Sequence, residues 1–256
     1  MSLQSCAELV ERGDPDRFLA TMAAPPDARA VLFPLYAFNL EVARAPWVAS
    51  EPMIAEMRLQ FWRDVMEEIG QGKPPRAHEV VEPLAQAIHP GNAALLDELI
   101  AARRWDIYRD AFEDEAHFDR YIDATAGNLA WVAARALGAA DQAETAVRDI
   151  AWGGGVAGFL RAVPELEARG RVPLLDGRPE GVKALADRAL TRFRRGKAAQ
   201  SAIHAAARPA LYAFWQAEPI LKAAHTNPLR VADGALAGSE FARRARLLLV
   251  SLTGRV

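Results

Sequence analysis

An all-α fold is what the sequence predicts. Hydrophobic residues recur with the period of a helix in nearly every segment of the 256-residue chain, and the alternating β-branched runs typical of strands do not persist. Alanine and leucine, which both favour helix, are abundant. The chain has no internal repeat, no low-complexity linker and no change of composition along its length. Residues 1–256 are therefore expected to form one domain of about ten helices.

Prolines and capping residues delimit the first two helices. A helix is expected over about residues 5–22, broken at Asp14-Pro15. Asp27 is placed to cap a second helix over residues 28–44. Pro34 lies within that helix and should kink it, because proline removes a backbone donor and clashes with the preceding turn.

The later helices follow from similar signals. Ser50-Glu51-Pro52 combines a capping hydroxyl, an acid and an early proline, and the helix that it starts should run to Gly70. The three glycines at 153–155 lack the spacing of a phosphate loop, so they favour close helix packing or a kink beside a cavity. The remaining helices are expected at about residues 78–88, 92–111, 118–137, 142–167, 182–206, 209–225 and 239–252.

Bulk properties exclude several classes of protein. A net charge of −2 argues against a nucleic-acid-binding protein, which would carry a basic excess. Cys6 is the single cysteine, so an intramolecular disulfide is impossible and a reducing compartment is expected. The first residues do not form a secretory signal, and no apolar run reaches the roughly 18–20 residues of a membrane-spanning helix. We expect a cytoplasmic protein, in solution or peripheral to the inner membrane.

Four sequence blocks in a fixed order carry a family resemblance. The first reads Leu-Tyr-Ala-Phe, the second contains Leu-Gln-Phe-Trp-Arg, the third contains Ala-Gly-Asn, and the fourth runs from Phe-Leu-Arg to Arg-Gly-Arg. They lie at residues 35–38, 56–64, 118–128 and 159–171. Over residues 29–173 the chain resembles the squalene/phytoene synthase family. That resemblance implies a single isoprenoid-synthase-like helical bundle around a central cavity.

The resemblance also shows what is missing. In that family, aspartates three or four residues apart on two facing helices hold Mg²⁺ and a prenyl diphosphate. The positions that correspond to the first aspartate motif read Ala43, Arg44 and Trp47, and two aspartate positions of the second motif read Ala162 and Leu166. The residues around both motifs are present, but the carboxylates are not. We therefore expect no cofactor, and we expect Mg²⁺ only if catalysis remains.

Some acids could still serve a metal. Glu41 and Glu165 remain near the two motifs as residual catalytic candidates, and together they could hold one Mg²⁺ weakly. Two other pairs, Asp106 with Asp110 and Asp119 with Asp123, have helical i, i+4 spacing. These pairs form either a relocated metal site or a solvated helix face, and arginines interleaved at 103, 104, 109 and 120 favour the solvated face.

Basic and aromatic residues complete the candidate site. Arginines that match motif positions, or replace an acid there, are candidates for binding diphosphate or another anion, and the alternative is pairing with internal acids such as Asp64 and Glu165. They are Arg44, Arg63, Arg161, Arg169 and Arg171. A second group could line a tunnel for a prenyl or other lipid chain, or simply form core. It comprises Tyr36, Phe38, Asn39, Phe61, Trp62, Tyr121, Trp131 and Trp152.

The last predicted helix carries an apolar face at helical spacing. Phe241, Ala245, Leu248, Leu249 and Leu252 form this face, with arginines at 243, 244 and 246 beside it. This pattern suits peripheral membrane contact or a partner-binding helix. The commoner arrangement is a terminal helix that packs on the bundle and leaves its arginines in solvent, and we favour that arrangement.

Two functions of different classes follow from the resemblance. A branch of the family with eroded aspartate motifs includes a factor needed for respiratory complex I assembly, and residues 39–44 and 99–108 look like that branch. On this reading the protein binds an isoprenoid, another lipid or a protein partner without catalysis. The alternative is an active prenyl transferase of isoprenoid or terpenoid biosynthesis with an atypical metal site. A scaffold at the membrane surface is a third, weaker hypothesis.

Overall fold

A computed structural model describes residues 3–48, 51–108 and 110–256. These residues form helices joined by turns, without a strand among them, which confirms the predicted all-α class. The α-helices are α1 (Leu3–Gly13), α2 (Pro15–Met22), α3 (Pro26–Val48), α4 (Pro52–Gly70), α5 (Val81–Ala87), α6 (Ala93–Ala102), α7 (Glu115–Ile122), α8 (Asn128–Ala136), α9 (Glu144–Ala168), α10 (Pro179–Ala198), α11 (Ala217–Thr226), α12 (Leu229–Ala232) and α13 (Glu240–Thr253).

The first helices begin where the capping signals place them. The carboxylate of Asp14 accepts a hydrogen bond from the backbone N–H of Arg17 at 3.0 Å, which separates α2 from α1. Helix α3 is longer than predicted and continues through Pro34. The predicted cap Ser50 lies outside the described residues, and Glu51, which precedes α4, makes no side-chain capping bond.

Three predicted helices have different boundaries in the structure. The helix expected to reach residue 111 ends at Ala102 and continues only as a 3₁₀ turn, Arg103–Asp106. The long helix expected over residues 118–137 is divided into α7 and α8 by a π-helical turn, Asp123–Gly127. The first part of the helix expected over residues 209–225 is a 3₁₀ segment, Ala205–Phe214, in which Pro209 supplies no backbone donor, and the second part is α11.

Glycines bring α9 close to its neighbours. A Cβ atom at Gly153 would lie 2.7 Å from the Cβ of Phe193 on α10, and one at Gly155 would lie 2.7 Å from the Cβ of Ala126. Gly196 of α10 makes the reciprocal approach, because a Cβ there would lie 2.7 Å from the carbonyl oxygen of Ala146. The predicted role of residues 153–155 in close helix packing is confirmed.

One hydrophobic core extends from Cys6 near the start of the chain to Val256 at its end. Its largest fully buried side chains include Trp131, Trp152 and Phe38. Helix α3 is buried on most of its surface, which explains why its sequence is apolar on nearly every face. The core therefore surrounds α3 and α9, the two helices that carry the eroded motifs.

Helix α13 corrects a prediction. Its apolar face was expected to pack on the bundle, but Phe241, Leu248, Leu249 and Leu252 are exposed, and Val250 is its buried residue. Among the helices of the described residues, none is long and apolar enough to cross a membrane.

Candidate functional site

A cavity of about 1130 Å³ opens between α1 and α2, α3, the π-helical turn, α9, the 3₁₀ segment Ala205–Phe214 and α11. Both polar and apolar side chains line the cavity. The apolar side chains include Leu40, Ile122, Leu129, Phe159 and Ile220. The volume lies above the roughly 300–1,000 Å³ of most small-molecule sites, so a long ligand has room.

The positions of the missing aspartates face this cavity from both sides. Ala43 and Trp47 of α3 line one wall, and Ala162 and Leu166 of α9 line another. Arg44 also lies on the α3 wall. The positions that correspond to the two motifs therefore share one cavity, as the family frame implies.

Trp47 engages two of the candidate arginines. The guanidinium carbons of Arg169 and Arg171 lie 4.8 and 4.9 Å from the centre of its ring. Arg171 lies also 5.0 Å from the ring centre of Trp105 and donates to the carbonyl oxygen of Asp106. Arg171 is buried and off the cavity wall, whereas Arg169 is on the wall and donates to Glu165 at 2.6 Å.

Two other candidate arginines also have acidic partners. Arg161 lines the cavity and donates to Asp16 at 3.0 Å. Arg63 donates to the two carboxylate oxygens of Asp97 at 2.8 and 3.1 Å, in a separate cleft of about 510 Å³. The structure therefore removes Arg63 from the candidate site, since α4 directs its side chain toward α6.

Arg12 and Arg44 are the cavity cations without an ion-pair or hydrogen-bond partner among the described residues. Both are exposed at the cavity wall. A Cβ at Gly13 would lie 3.0 Å from the Cδ1 of Leu40, and Arg44 follows Leu40 by one helical turn. The end of α1 thus places Arg12 on the same side of the cavity as Arg44.

The residual acids are not brought together as a pair. Glu165 lies on the wall beside Arg169, but Glu41 is half-buried outside the cavity lining. Within the three described stretches, no group of three or more His, Cys, Asp or Glu side chains is placed to hold a metal ion.

Asp106 is not on a solvated helix face, which corrects that expectation. It is only 4% exposed, lines the cavity, and accepts hydrogen bonds from the Tyr121 hydroxyl at 2.9 Å and from Arg103 at 3.0 Å. Burial, together with the charge of Asp106, raises the pKa of Tyr121, although Arg103 opposes the shift. Asp110 lies beyond the end of the 3₁₀ turn and is exposed, so it does not share a helix face with Asp106.

The second acidic pair is held by arginines. Asp119 accepts from Arg188 at 2.8 Å, and Asp123 accepts from Arg148 at 3.4 Å. Neither lies on the cavity wall. Arg109, one of the interleaved arginines, lies outside the described residues.

Among the residues expected to line a tunnel, the structure places Asn39 and Tyr121 on the cavity wall. The others pack in or against the core because their helices turn them away from the cavity, so they do not line it and the alternative that they form core applies. They are Tyr36, Phe38, Phe61, Trp62, Trp131 and Trp152.

Several wall residues were not predicted. Arg12, Asp14, Asp16 and Arg17 come from the junction of α1 and α2, which precedes all four sequence blocks. Their one signal in the sequence is a run of charges around a helix break. Gln216 and Phe214 come from the C-terminal half, where the resemblance does not reach.

The sequence is similar to one family model and to several curated proteins. The model described as squalene/phytoene synthase matches residues 10–174. The NADH dehydrogenase (ubiquinone) complex I assembly factor 6 of Homo sapiens is 29% identical over 170 residues, 65% of this chain and 51% of that protein. The homologue of Drosophila melanogaster is 29% identical over 178 residues, 66% of this chain and 53% of that protein. The chain spans about half the length of these curated relatives.

Solved structures show the same architecture. A dehydrosqualene synthase in complex with ligand superposes with a TM-score of 0.79 over 98% of this chain and 95% of that one, at 15% identity. Squalene synthase HpnC from Alicyclobacillus acidocaldarius gives a TM-score of 0.70 over 88% and 93%, at 16% identity. The predicted isoprenoid-synthase-like bundle is confirmed. Because the family model covers well over half of the sequence, the chain belongs to the squalene/phytoene synthase family.

Proposed function

We propose that this protein binds an isoprenoid or another lipid in its central cavity without a Mg²⁺–diphosphate cluster, and that it serves the assembly of a respiratory complex rather than prenyl transfer. The observation that carries this proposal is the cavity wall itself. At five positions that face the cavity where the family frame has aspartates, the side chains are those of Ala43, Arg44, Trp47, Ala162 and Leu166.

The remaining carboxylates support the same conclusion. Mg²⁺ requires near-octahedral oxygen ligands at about 2.0–2.1 Å. Glu165 is paired with Arg169, Asp106 with Arg103, and Asp16 with Arg161 and Arg243. Recruiting any of these acids for a metal would leave an arginine without its partner, which costs free energy. Arg44 adds a fixed positive charge on the same wall, and that charge repels a divalent cation.

The unpaired arginines suggest which ligand is bound. Arg12 and Arg44 can donate to an anionic head group through bidentate hydrogen bonds, without a metal. An apolar chain attached to that head group would lie against Leu40, Leu129 and Phe159. An amphiphile with a phosphate or diphosphate head and a prenyl or acyl tail fits both the polar and the apolar residues of the wall.

The assembly role rests on the curated relatives. Proteins named for complex I assembly are similar to this chain over about two thirds of its length. We infer that this protein acts on the same class of process, with the lipid-filled cavity stabilising a surface that a protein partner recognises. The expected site of action is the periphery of the inner membrane.

Ligand binding with and without metal tests the cavity. The purified protein is titrated with farnesyl and geranylgeranyl diphosphate in EDTA and in Mg²⁺, with diphosphate release measured in parallel. We expect equal affinity in both buffers, no diphosphate release, and roughly tenfold weaker binding for Arg44→Ala, since a charge-assisted hydrogen bond contributes about 1.5–3 kcal/mol. Release of diphosphate that requires Mg²⁺ and disappears in Glu41→Ala or Glu165→Ala would establish the alternative, an active prenyl transferase.

A blocking variant shows where the ligand lies. No atom lies within 4 Å of a Cβ built at Gly158 of α9, which lines the cavity, so Gly158→Phe places its ring in the open space. Gly177→Phe is the matched control, because Gly177 has equally open surroundings in a loop away from the cavity. Weaker binding is expected only for Gly158→Phe, and equal binding by both variants would place the ligand elsewhere.

The assembly role has an independent test in cells. Deletion of the gene should lower the amount and activity of complex I, and the Gly158→Phe variant should restore less activity than the Gly177→Phe variant. Normal complex I activity after deletion would refute the assembly role and leave the binding measurement standing.

A further inference from the structure

Helix α13 presents an apolar surface away from the bundle. Phe241 is 83% exposed, Leu252 74%, Leu249 61% and Leu248 59%. At 3.6 residues per turn, these residues and Ala245 fall within an arc of roughly 100°. Leu247 and Val250 fall on the opposite side, where they pack against the core. One apolar side of α13 therefore packs on the bundle, and a second apolar side is exposed.

Arginines border this outward apolar face on both sides. Arg244 lies next to Leu248 on one edge of the arc, and Arg246 lies beyond Leu249 on the other. Three arginines against the single Glu240 give α13 a net positive charge. Arg246 has no ion-pair partner within the described part of the chain, and the pairing of Arg244 with Glu240 at 2.8 Å is exposed and therefore weak.

This arrangement fits an anionic lipid surface better than a second copy of the chain. Helices that lie in the plane of a membrane carry aromatic and leucine side chains on one face and basic residues along its edges. Anionic head groups neutralise such arginines. Two copies of α13 facing each other across a two-fold axis would instead bring the same arginines close to one another.

Contacts at both ends fix α13 to the bundle. Arg243 forms an ion pair with Asp16 and donates to Gln216 at 2.9 Å, and both acceptors line the cavity. After the last turn, Gln200 donates to the carbonyl oxygen of Gly254 at 2.8 Å. The first turn of α13 is therefore attached to the edge of the cavity.

We propose that α13 docks this protein on an anionic phospholipid membrane, with Phe241, Leu248, Leu249 and Leu252 entering the interface and Arg244 and Arg246 contacting head groups. Docking holds the edge of the cavity beside the bilayer, so that a lipid ligand would pass from the bilayer into the cavity. Only this entry of a lipid rests on the proposed function.

Co-sedimentation with vesicles tests the docking surface. The full chain is mixed with phosphatidylcholine vesicles that contain or lack phosphatidylglycerol. We expect binding to the anionic vesicles that weakens with salt, and a loss of tenfold or more for the double variant Leu248→Asp/Leu252→Asp. Arg244→Glu/Arg246→Glu should lose the preference for phosphatidylglycerol.

Leu229→Asp is the matched control, because Leu229 on α12 is 60% exposed, like Leu249. Circular dichroism should show that all variants remain folded, since the changed leucines and Arg244 are exposed and Arg246 is half-buried without an ion-pair partner among the described residues. Absence of vesicle binding by the unaltered protein, or an equal loss in Leu229→Asp, would overturn the proposal. So would a dimer in sedimentation equilibrium that dissociates in the Leu248→Asp/Leu252→Asp variant. Gly158→Phe should bind vesicles normally, which separates failure of docking from failure of cavity binding.

Discussion

Two glycine-to-alanine substitutions on α9 should change stability in opposite directions. Gly153 and Gly158 both lie inside this helix, where alanine is favoured over glycine by about 0.5–1 kcal/mol. Their surroundings differ. A Cβ at Gly153 would lie 2.7 Å from the Cβ of Phe193 and 3.0 Å from the carbonyl oxygen of Ala189, whereas a Cβ at Gly158 meets no atom within 4 Å.

The expected magnitudes follow from these contacts. Carbon atoms are normally separated by about 3.5–4.0 Å, so Gly153→Ala must push α10 away by close to 1 Å. Neither the backbone of α10 nor the buried base of Phe193 can rotate out of the way. Overpacking of this kind costs about 1–3 kcal/mol, which leaves a net loss of about 0–2.5 kcal/mol after the gain in helix propensity. Gly158→Ala keeps only the gain and should stabilise by about 0.5–1 kcal/mol.

Urea unfolding followed by circular dichroism measures both effects. For a chain of this size, 1 kcal/mol corresponds to about 2–4 °C in Tm, so thermal unfolding should resolve the two variants. Equal stability of Gly153→Ala and Gly158→Ala, or the reverse order, would show that α9 and α10 do not approach as closely as described. Close approach matters to function because α9 carries the wall residues Ala162, Glu165 and Leu166.

Two further predictions concern the half-buried Glu218 and the buried Asp106. Burial opposes ionisation of Glu218, but hydrogen bonds from Lys222 and Lys197 outweigh it and lower the pKa from 4.5 to about 2. The interaction of Glu218 with its two lysines therefore stabilises the fold above pH 4.5, and this stabilisation is lost as the pH falls towards 2. Glu218→Gln should lower the free energy of unfolding in urea by roughly 1 kcal/mol at pH 7, a value that allows for the exposure of the lysines. Near pH 2 the substitution should have no effect. Asp106→Asn should destabilise by about 2–3 kcal/mol because it leaves Arg103 without a charged partner, whereas the exposed control Asp110→Asn should change the unfolding free energy by less than about 0.5 kcal/mol. These assignments would be contradicted if the difference in unfolding free energy between Glu218→Gln and the unaltered protein were as large near pH 2 as at pH 7. Equal changes in unfolding free energy for Asp106→Asn and Asp110→Asn would also contradict them.

The all-α fold class could be predicted from the sequence because helical periodicity depends on local spacing, whereas the facing of the two motif helices was implied by the family resemblance. Helical periodicity identifies elements, and the family frame places Ala43 and Ala162 on facing helices. Periodicity could not separate cavity from core on α3, since that helix is apolar almost all round. Tyr36 and Phe38 were therefore candidates for either cavity or core, and the structure places both in the core.

The sequence could not predict which way an apolar helix face points or which charged residues form pairs, for a different reason. An apolar stripe on α13 has the same spacing whether it faces the bundle or solvent, so the pattern shows the stripe and not its direction. Partners of charged residues come from distant parts of the chain: Arg63 pairs with Asp97, and Arg161 with Asp16, which is 145 residues away. Nor does composition mark a π-helical turn such as Asp123–Gly127, which divides a segment that reads as one helix.

The replacements in the two motifs depend on one another. Trp47 does more than remove a carboxylate, because its ring binds the guanidinium groups of Arg169 and Arg171. Arg169 in turn holds Glu165, the one acid that the second motif keeps on the cavity wall. Restoring an aspartate at position 47 would therefore remove the ring that both guanidinium groups contact, while Arg169 and Arg44 would remain on the wall where Mg²⁺ would have to bind. On the proposed function this interdependence has a simple meaning: the positive charge that metal ions bring in an active enzyme is supplied here by the protein's own arginines, so an anionic lipid can be held but its diphosphate is not activated to leave.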